Sequence, residues 1–124
     1  PITQDACILY EDHTVISEQG GKVVFEVAAG EEFASLFPTG KAAIHQNHGL
    51  FTVGTTVEAA AFWFITMDRS CQAQLLAEAA GTPKLIDHDS AMYTQQLTGF
   101  AEAGWFQFQP LFQEICATDP DLFD

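Results

Sequence analysis

The stretch from Val57 to Ala80 constrains the fold of this chain more than any other. Val57, Ala61, Phe64, Met67, Cys71, Leu75 and Ala79 recur at intervals of three and four residues, which places their side chains on one face of an α-helix. Thr55 and Glu58 have the spacing of a capping box, in which each side chain satisfies an orphan amide of the first turn. Gly81 supplies the stop, and Pro83 follows it. At ~1.5 Å per residue this helix is about 36 Å long. The remainder of a 124-residue chain must be arranged around it, and that length suits one domain over 1–124.

The other elements are weaker. Gly20-Gly21 marks a turn, and Lys22 to Val27 is rich in β-branched and aromatic residues, which predicts a strand. Glu31 to Phe37 fits a short helix stopped by Pro38 and Gly40. Lys41 to Asn47 and Leu50 to Val53 read as two strands around a break at His48-Gly49, either a hairpin or a kinked continuous strand. A helix over Asp89 to Leu97 takes Asp87 or Asp89 as its cap. A last helix after Gly104 carries Trp105, Phe106, Phe108, Leu111, Phe112 and Ile115, with Pro110 expected in its first turn or two. That aromatic density must pack on this chain or on a neighbour. Residues 1–14 show no clear period. Strands followed by helices indicate an α/β or α+β class.

Composition narrows the partners. The chain has 17 acidic and 4 basic residues, a net charge of −13. Four basic side chains cannot neutralise a run of phosphates, so no nucleic-acid partner is expected, and an anionic membrane surface is an equally poor one. Hydrophobic residues make up 48% and include 11 Phe, too much for a disordered acidic tail. The longest nearly unbroken apolar run, Ala59 to Met67 with Thr66 inside it, is 9 residues against about 20 needed to span a bilayer. No basic segment leads into an apolar stretch of the signal-peptide kind. Cys7, Cys71 and Cys116 are odd in number and widely spaced in apolar surroundings, which suggests buried free thiols in a reducing, cytoplasmic compartment.

Among chemistry-bearing residues, His48 stands out. A histidine beside Gly49 at a strand break presents its imidazole with little steric cover, as a metal ligand or an acid/base group. A hydrogen-bonded structural histidine fits the same pattern. His45 is three residues earlier; an extended strand alternates, so the two rings should point oppositely unless Gly49 distorts the strand. Asp12-His13 is an acid/base pair or a solvated loop, and His88 lies in a capping segment between Asp87 and Asp89. Arg69, the only arginine, serves an anionic substrate or pairs with a carboxylate. Glu31-Glu32, Glu11-Asp12 and the tail from Asp119 to Asp124 read as solvated charge. No P-loop, nucleophile elbow or dinucleotide fingerprint occurs.

Lys41 to Gly54 (Lys-Ala-Ala-Ile-His-Gln-Asn-His-Gly-Leu-Phe-Thr-Val-Gly), followed by Thr56-Val-Glu-Ala-Ala60 and Phe62 to Leu75, resembles the class II aldolase/adducin family. Ile2 to Ala6, Tyr10-Glu-Asp-His13 and Gly104 to Pro110 continue the resemblance, which covers nearly the whole chain. It implies an α/β/α sandwich on a mostly antiparallel sheet. It also implies a divalent metal, zinc first, held by three histidines, with His48 at the position of the third. The match is to the C-terminal half of the family domain. The H-x-H pair giving the other ligands belongs to the other half, as do a catalytic acidic residue and a phosphate-binding region. No H-x-H occurs here.

The expectation is therefore a truncated class II aldolase-like sandwich with a degenerate metal site. The function it suggests is a small-molecule lyase or isomerase with aldolase-, decarboxylase- or cyclase-like chemistry beside a carbonyl. A metal takes part only if other ligands complete its site; without one, His48, His13 and Tyr10 are the acid/base candidates. The alternative is a non-catalytic oligomerisation module or a fragment of a full-length zinc aldolase. Half a sandwich leaves a sheet edge and an apolar face, so a homo-oligomer is expected.

Overall fold

The computed structural model of the chain describes residues 1–123; Asp124, the end of the acidic tail, lies outside the described residues. The elements run α1 (Gln4–Cys7), β1 (His13–Ile16), α2 (Val27–Ser35), β2 (Ala42–His45), β3 (Gly49–Thr52), α3 (Val57–Ala80), α4 (His88–Thr98) and α5 (Ala101–Thr118), then a 3₁₀ turn over Pro120–Phe123. The sheet has three strands in the order β1-β2-β3. β2 pairs parallel with β1 and antiparallel with β3. A sheet flanked by helices is the expected class, although the described strands are evenly mixed rather than mostly antiparallel.

The long helix keeps its expected limits but not its expected cap or face. Thr56, not Thr55, is the cap; its hydroxyl oxygen accepts from the Ala59 amide at 3.2 Å. Glu58 is then one residue short of the reciprocal position. α3 buries Ala59, Trp63, Thr66 and Met67. Val57 and Leu75 of the expected stripe are 84% and 68% exposed. From Ala59 to Met67 nearly every position is apolar, so periodicity there selects no face. Size and fit select it instead. Trp63 is the largest fully buried side chain and centres a cluster with Ile8, Leu9, Ala42, Ala59 and Met67. α5 packs along α3 and brings Gly104 against the indole, where an added Cβ would stand 2.4 Å from Cζ2 of Trp63.

Three further expectations shift. Lys22 to Val27 forms no strand; it leads into α2, which starts at Val27 rather than Glu31. Strand propensity needs a neighbouring ladder to pair with, and none reaches this segment, where Phe25 is 89% exposed. α5 starts at Ala101, so Pro110 is in its third turn and removes one helical hydrogen bond there. Residues 1–14 are not patternless: Thr3 caps the single turn of α1, and β1 begins at His13. α4 takes Asp87 as its cap; hydrogen bonds from the Ser90 amide and hydroxyl hold that carboxyl below the usual range.

A half-buried polar cluster ties the ends of the chain to the sheet. Lys41 bonds Asp12 Oδ2 and donates to the Gly99 carbonyl at 2.7 Å, between α4 and α5. Gln95 donates to the same Asp12 oxygen at 3.3 Å. The ammonium lies 5.1 Å from the Trp63 ring centroid. Asp12 thus pairs with Lys41, not with His13. All three cysteines are free, but only Cys7 is fully buried. Burial pushes the Cys7 and Cys71 thiols up. Among the described residues, no helix is long and apolar enough to cross a membrane.

Candidate functional site

The site is built on the β2–β3 hairpin. His45 pairs with Gly49, so Gln46, Asn47 and His48 form the connection. Asn47 sits at φ 59°, the left-handed region that asparagine tolerates better than most residues. Gly49 sits at φ 147°, where any side chain would be strained by the backbone itself, although a Cβ there would meet no atom within 4 Å. The turn resets the alternation of the strand. His45 and His48, expected to diverge, have ring centroids 5.4 Å apart and planes 20° apart.

These rings share an aromatic wall. Phe33 of α2 lies 5.0 Å from His45 and 5.3 Å from Phe51, and Phe51 lies 5.0 Å from His48, measured between centroids. Together with Lys22 and Val24 they line a pocket of about 340 Å³. His45 is 3% exposed, whereas His48 is exposed at the mouth. The His45 Nε2 lies 3.0 Å from the Glu18 carbonyl oxygen, which can only accept, so Nε2 carries the proton. Its Nδ1 is buried without a hydrogen-bond partner.

Tyr10 and His13 lie elsewhere. His13 pairs with Ala42 and shares its face, the one α3 covers, while His45, three residues further along β2, faces α2. Tyr10 and His13 line a second, mostly apolar pocket of about 450 Å³ with Ile44, Met67, Ser70 and Cys71. His13 donates from Nδ1 to the Leu9 carbonyl at 2.8 Å, leaving Nε2 as an acceptor. The Tyr10 hydroxyl is hydrogen-bonded to His88 Nδ1 at 3.1 Å, a contact beyond the capping role read for that segment. The three acid/base candidates are therefore split by the sheet: His48 on one side, Tyr10 and His13 on the other.

The sequence reading missed His45, Phe33 and Phe51 as neighbours of His48. The available signal was Asn47-His48-Gly49, a set of turn-forming residues that cancels strand alternation. Among the described residues, no group of three or more His, Cys, Asp and Glu side chains could hold a metal ion. The donors near His48 amount to two imidazoles, fewer than the three protein ligands of a catalytic zinc. The described residues alone do not complete the ligand set that the resemblance implies.

Residues 1–75 match the family described as Class II Aldolase and Adducin N-terminal domain. The chain is 43% identical over 122 residues to "Decarboxylase NovR" of Streptomyces niveus, covering 98% of this chain and 45% of that protein. It is equally identical to "4-hydroxy-3-prenylphenylpyruvate oxygenase/4-hydroxy-3-prenylbenzoate synthase" of Streptomyces roseochromogenus subsp. oscitans, covering 98% and 44%. The structure of an L-fuculose 1-phosphate aldolase from Glaciozyma antarctica superposes with a TM-score of 0.82 at 39% identity, over 98% of this chain and 46% of that one. The chain thus spans less than half the length of these relatives.

Proposed function

Because the chain belongs to the class II aldolase and adducin family, we propose that it contributes the His48 side of a small-molecule lyase site that breaks a carbon–carbon bond beside a carbonyl. The observation that carries this reading is the pocket at the hairpin: an exposed imidazole and Lys22, two of the few groups in this acidic chain able to carry positive charge, beside Phe33 and Phe51. Such a pocket suits an aromatic acid bearing a carbonyl. The relatives named as a decarboxylase and as acting on a prenylphenylpyruvate support the same substrate class.

Decarboxylation of a 3-oxo acid and retro-aldol cleavage share one difficulty, since both leave an enolate on the carbonyl carbon skeleton. His48 would donate a hydrogen bond to the developing enolate oxygen and return a proton to carbon. Lys22 would draw the anionic substrate in, and the phenyl walls would keep water from the reacting carbon. The family's divalent ion supplies carbonyl polarisation when bound. Cytoplasmic placement belongs to the same proposal.

The test is carbon dioxide release and substrate loss over a panel of aromatic 3-oxo acids and aldols. His48→Ala should lower kcat about 100-fold or more, the usual range for an acid/base group. Lys22→Ala should mainly raise KM. Turnover undiminished in His48→Ala would end this assignment.

A second reading, a non-catalytic assembly module, draws on α5, which leaves Trp105, Phe106, Phe112 and Ile115 at least partly exposed on its outer side. Light scattering should give a homo-oligomer at micromolar concentration, and Phe106→Glu should shift it toward monomer. A wild-type monomer under those conditions would remove the assembly reading.

A further inference from the structure

We propose that the cavity lined by Tyr10 and His13 is a binding site for a small neutral phenol, whose hydroxyl group donates to Nε2 of His13 while its ring lies against Met67. This cavity and the hairpin pocket are on opposite sides of the sheet, so the proposal stands apart from the lyase reading.

The first reason is the cavity itself. At about 450 Å³ it is within the roughly 300–1,000 Å³ of small-molecule sites. Its walls are mostly apolar and include Leu9 and Met67, which belong to the buried core, with Ile44 packed against them. Close-packed core residues hold their positions, so this wall is formed before any ligand arrives. The second reason is the direction of one hydrogen bond. The Leu9 carbonyl can only accept, and it lies 2.8 Å from Nδ1 of His13, so Nδ1 carries the proton of the neutral ring and Nε2 offers a lone pair. That bond orients the ring, and the His13 side chain is exposed, so a ligand can reach it. Ser70 also lines the cavity, but its Oγ is closed to solvent and supplies no contact.

The lining selects the ligand. Among the described residues, no Asp, Glu, Lys or Arg lines the cavity. A carboxylate or an ammonium would lose its water there without gaining a counter-charge. A carboxylate would also set its lone pairs against that of Nε2 and face the net charge of −13. A phenol, with a pKa of about 10, is neutral at pH 7 and supplies the O–H that Nε2 accepts. Its ring suits Met67, since a thioether sulfur makes favourable contacts with aromatic edges. An alkyl group on that ring would be buried against Leu9 and Ile44.

The experiment uses the 124-residue chain with its 2 methionines labelled at the methyl carbon for NMR. Titration with 4-propylphenol should shift the Met67 methyl resonance and saturate with a Kd of about 1 mM, the range for a ligand this small. Met92, which does not line the cavity, should stay unmoved. 4-Propylanisole, with a methyl in place of the hydroxyl proton, should bind roughly fivefold more weakly, and 4-propylbenzoate roughly tenfold or more. In His13→Phe, which keeps an aromatic ring but offers no acceptor, the phenol should bind no better than the anisole. His48→Ala should bind the phenol as the wild type does. An unmoved Met67 methyl, equal wild-type affinity for phenol and anisole, a benzoate that binds as tightly as the phenol, or a preference that survives in His13→Phe would each overturn the proposal. Loss of phenol binding in His48→Ala would overturn it too, by placing the ligand at the hairpin. So would a Met67 shift that grows with protein concentration in the absence of phenol, which would give the cavity to a second copy of the chain.

Discussion

Trp63→Ala should lower the unfolding free energy by about 4 kcal/mol, the range for deleting a large aromatic side chain from a core. The indole is 1% exposed and sits among Ile8, Leu9, Ala42, Ala59 and Met67. Those neighbours cannot easily collapse into the gap, because β2 fixes Ala42 and the α3 backbone fixes Ala59. Total stabilities of domains this size run at about 5–15 kcal/mol, so such a loss removes between about a quarter and four fifths of the whole. The contact with Gly104 makes the expectation specific. Gly104→Ala would gain about 1 kcal/mol of helix propensity, yet its Cβ would stand 2.4 Å from a ring with nowhere to move, and overpacking costs about 1–3 kcal/mol. A net loss is expected for Gly104→Ala alone. Combined with Trp63→Phe, which removes the obstructing ring, the Ala substitution should become neutral or favourable. Urea unfolding of the four chains measures this, and additive losses would refute the proposed contact.

Asp12→Ala should cost about 2 kcal/mol, because it strands the Lys41 ammonium with the Gly99 carbonyl alone. The side chains of Lys41 and Asp12 are only 14% and 25% exposed, so water makes up part of the loss but not all of it. The value is therefore set below the roughly 3–5 kcal/mol typical of a fully buried pair. Lys41→Met in the same background should recover part of the stability, since it removes the unpaired charge while keeping an apolar stem against Trp63. A double-mutant cycle gives the coupling. A coupling near zero would mean the pair is screened like any surface salt bridge. The two variants also report on different parts of the molecule. Trp63 joins α3 to α5 and the sheet, whereas Asp12 and Lys41 tie the start of β2 to the junction of α4 and α5.

How much of this was legible beforehand differs by element. The limits of α3 were readable because capping and stopping are local chemistry: a hydroxyl for an early amide and a glycine at the end. The hairpin was one of two readings left open, since the turn residues and flanking strands lie within a dozen positions. Family resemblance went further than periodicity, because the block around Asn47-His48-Gly49 identifies a lineage whose fold the chain shares. His48 was singled out by that block, and the structure places it, exposed, at the mouth of a pocket.

The misplaced features all depended on what other segments do. Lys22 to Val27 has strand composition, but a strand exists only where a ladder is offered, and the described sheet ends elsewhere. The buried face of α3 was decided by Trp63 finding Gly104, two residues 41 positions apart in sequence. The separation of His48 from Tyr10 and His13 followed from the register of β1 on β2, which no local pattern encodes. His45 reached His48 only because the turn broke the alternation that should have parted them. Sequence by itself determined where chain segments start, stop and turn, since those energies act within a few residues. Tertiary structure alone decided which faces are buried and which side chains meet, since those energies are summed over contacts between distant segments.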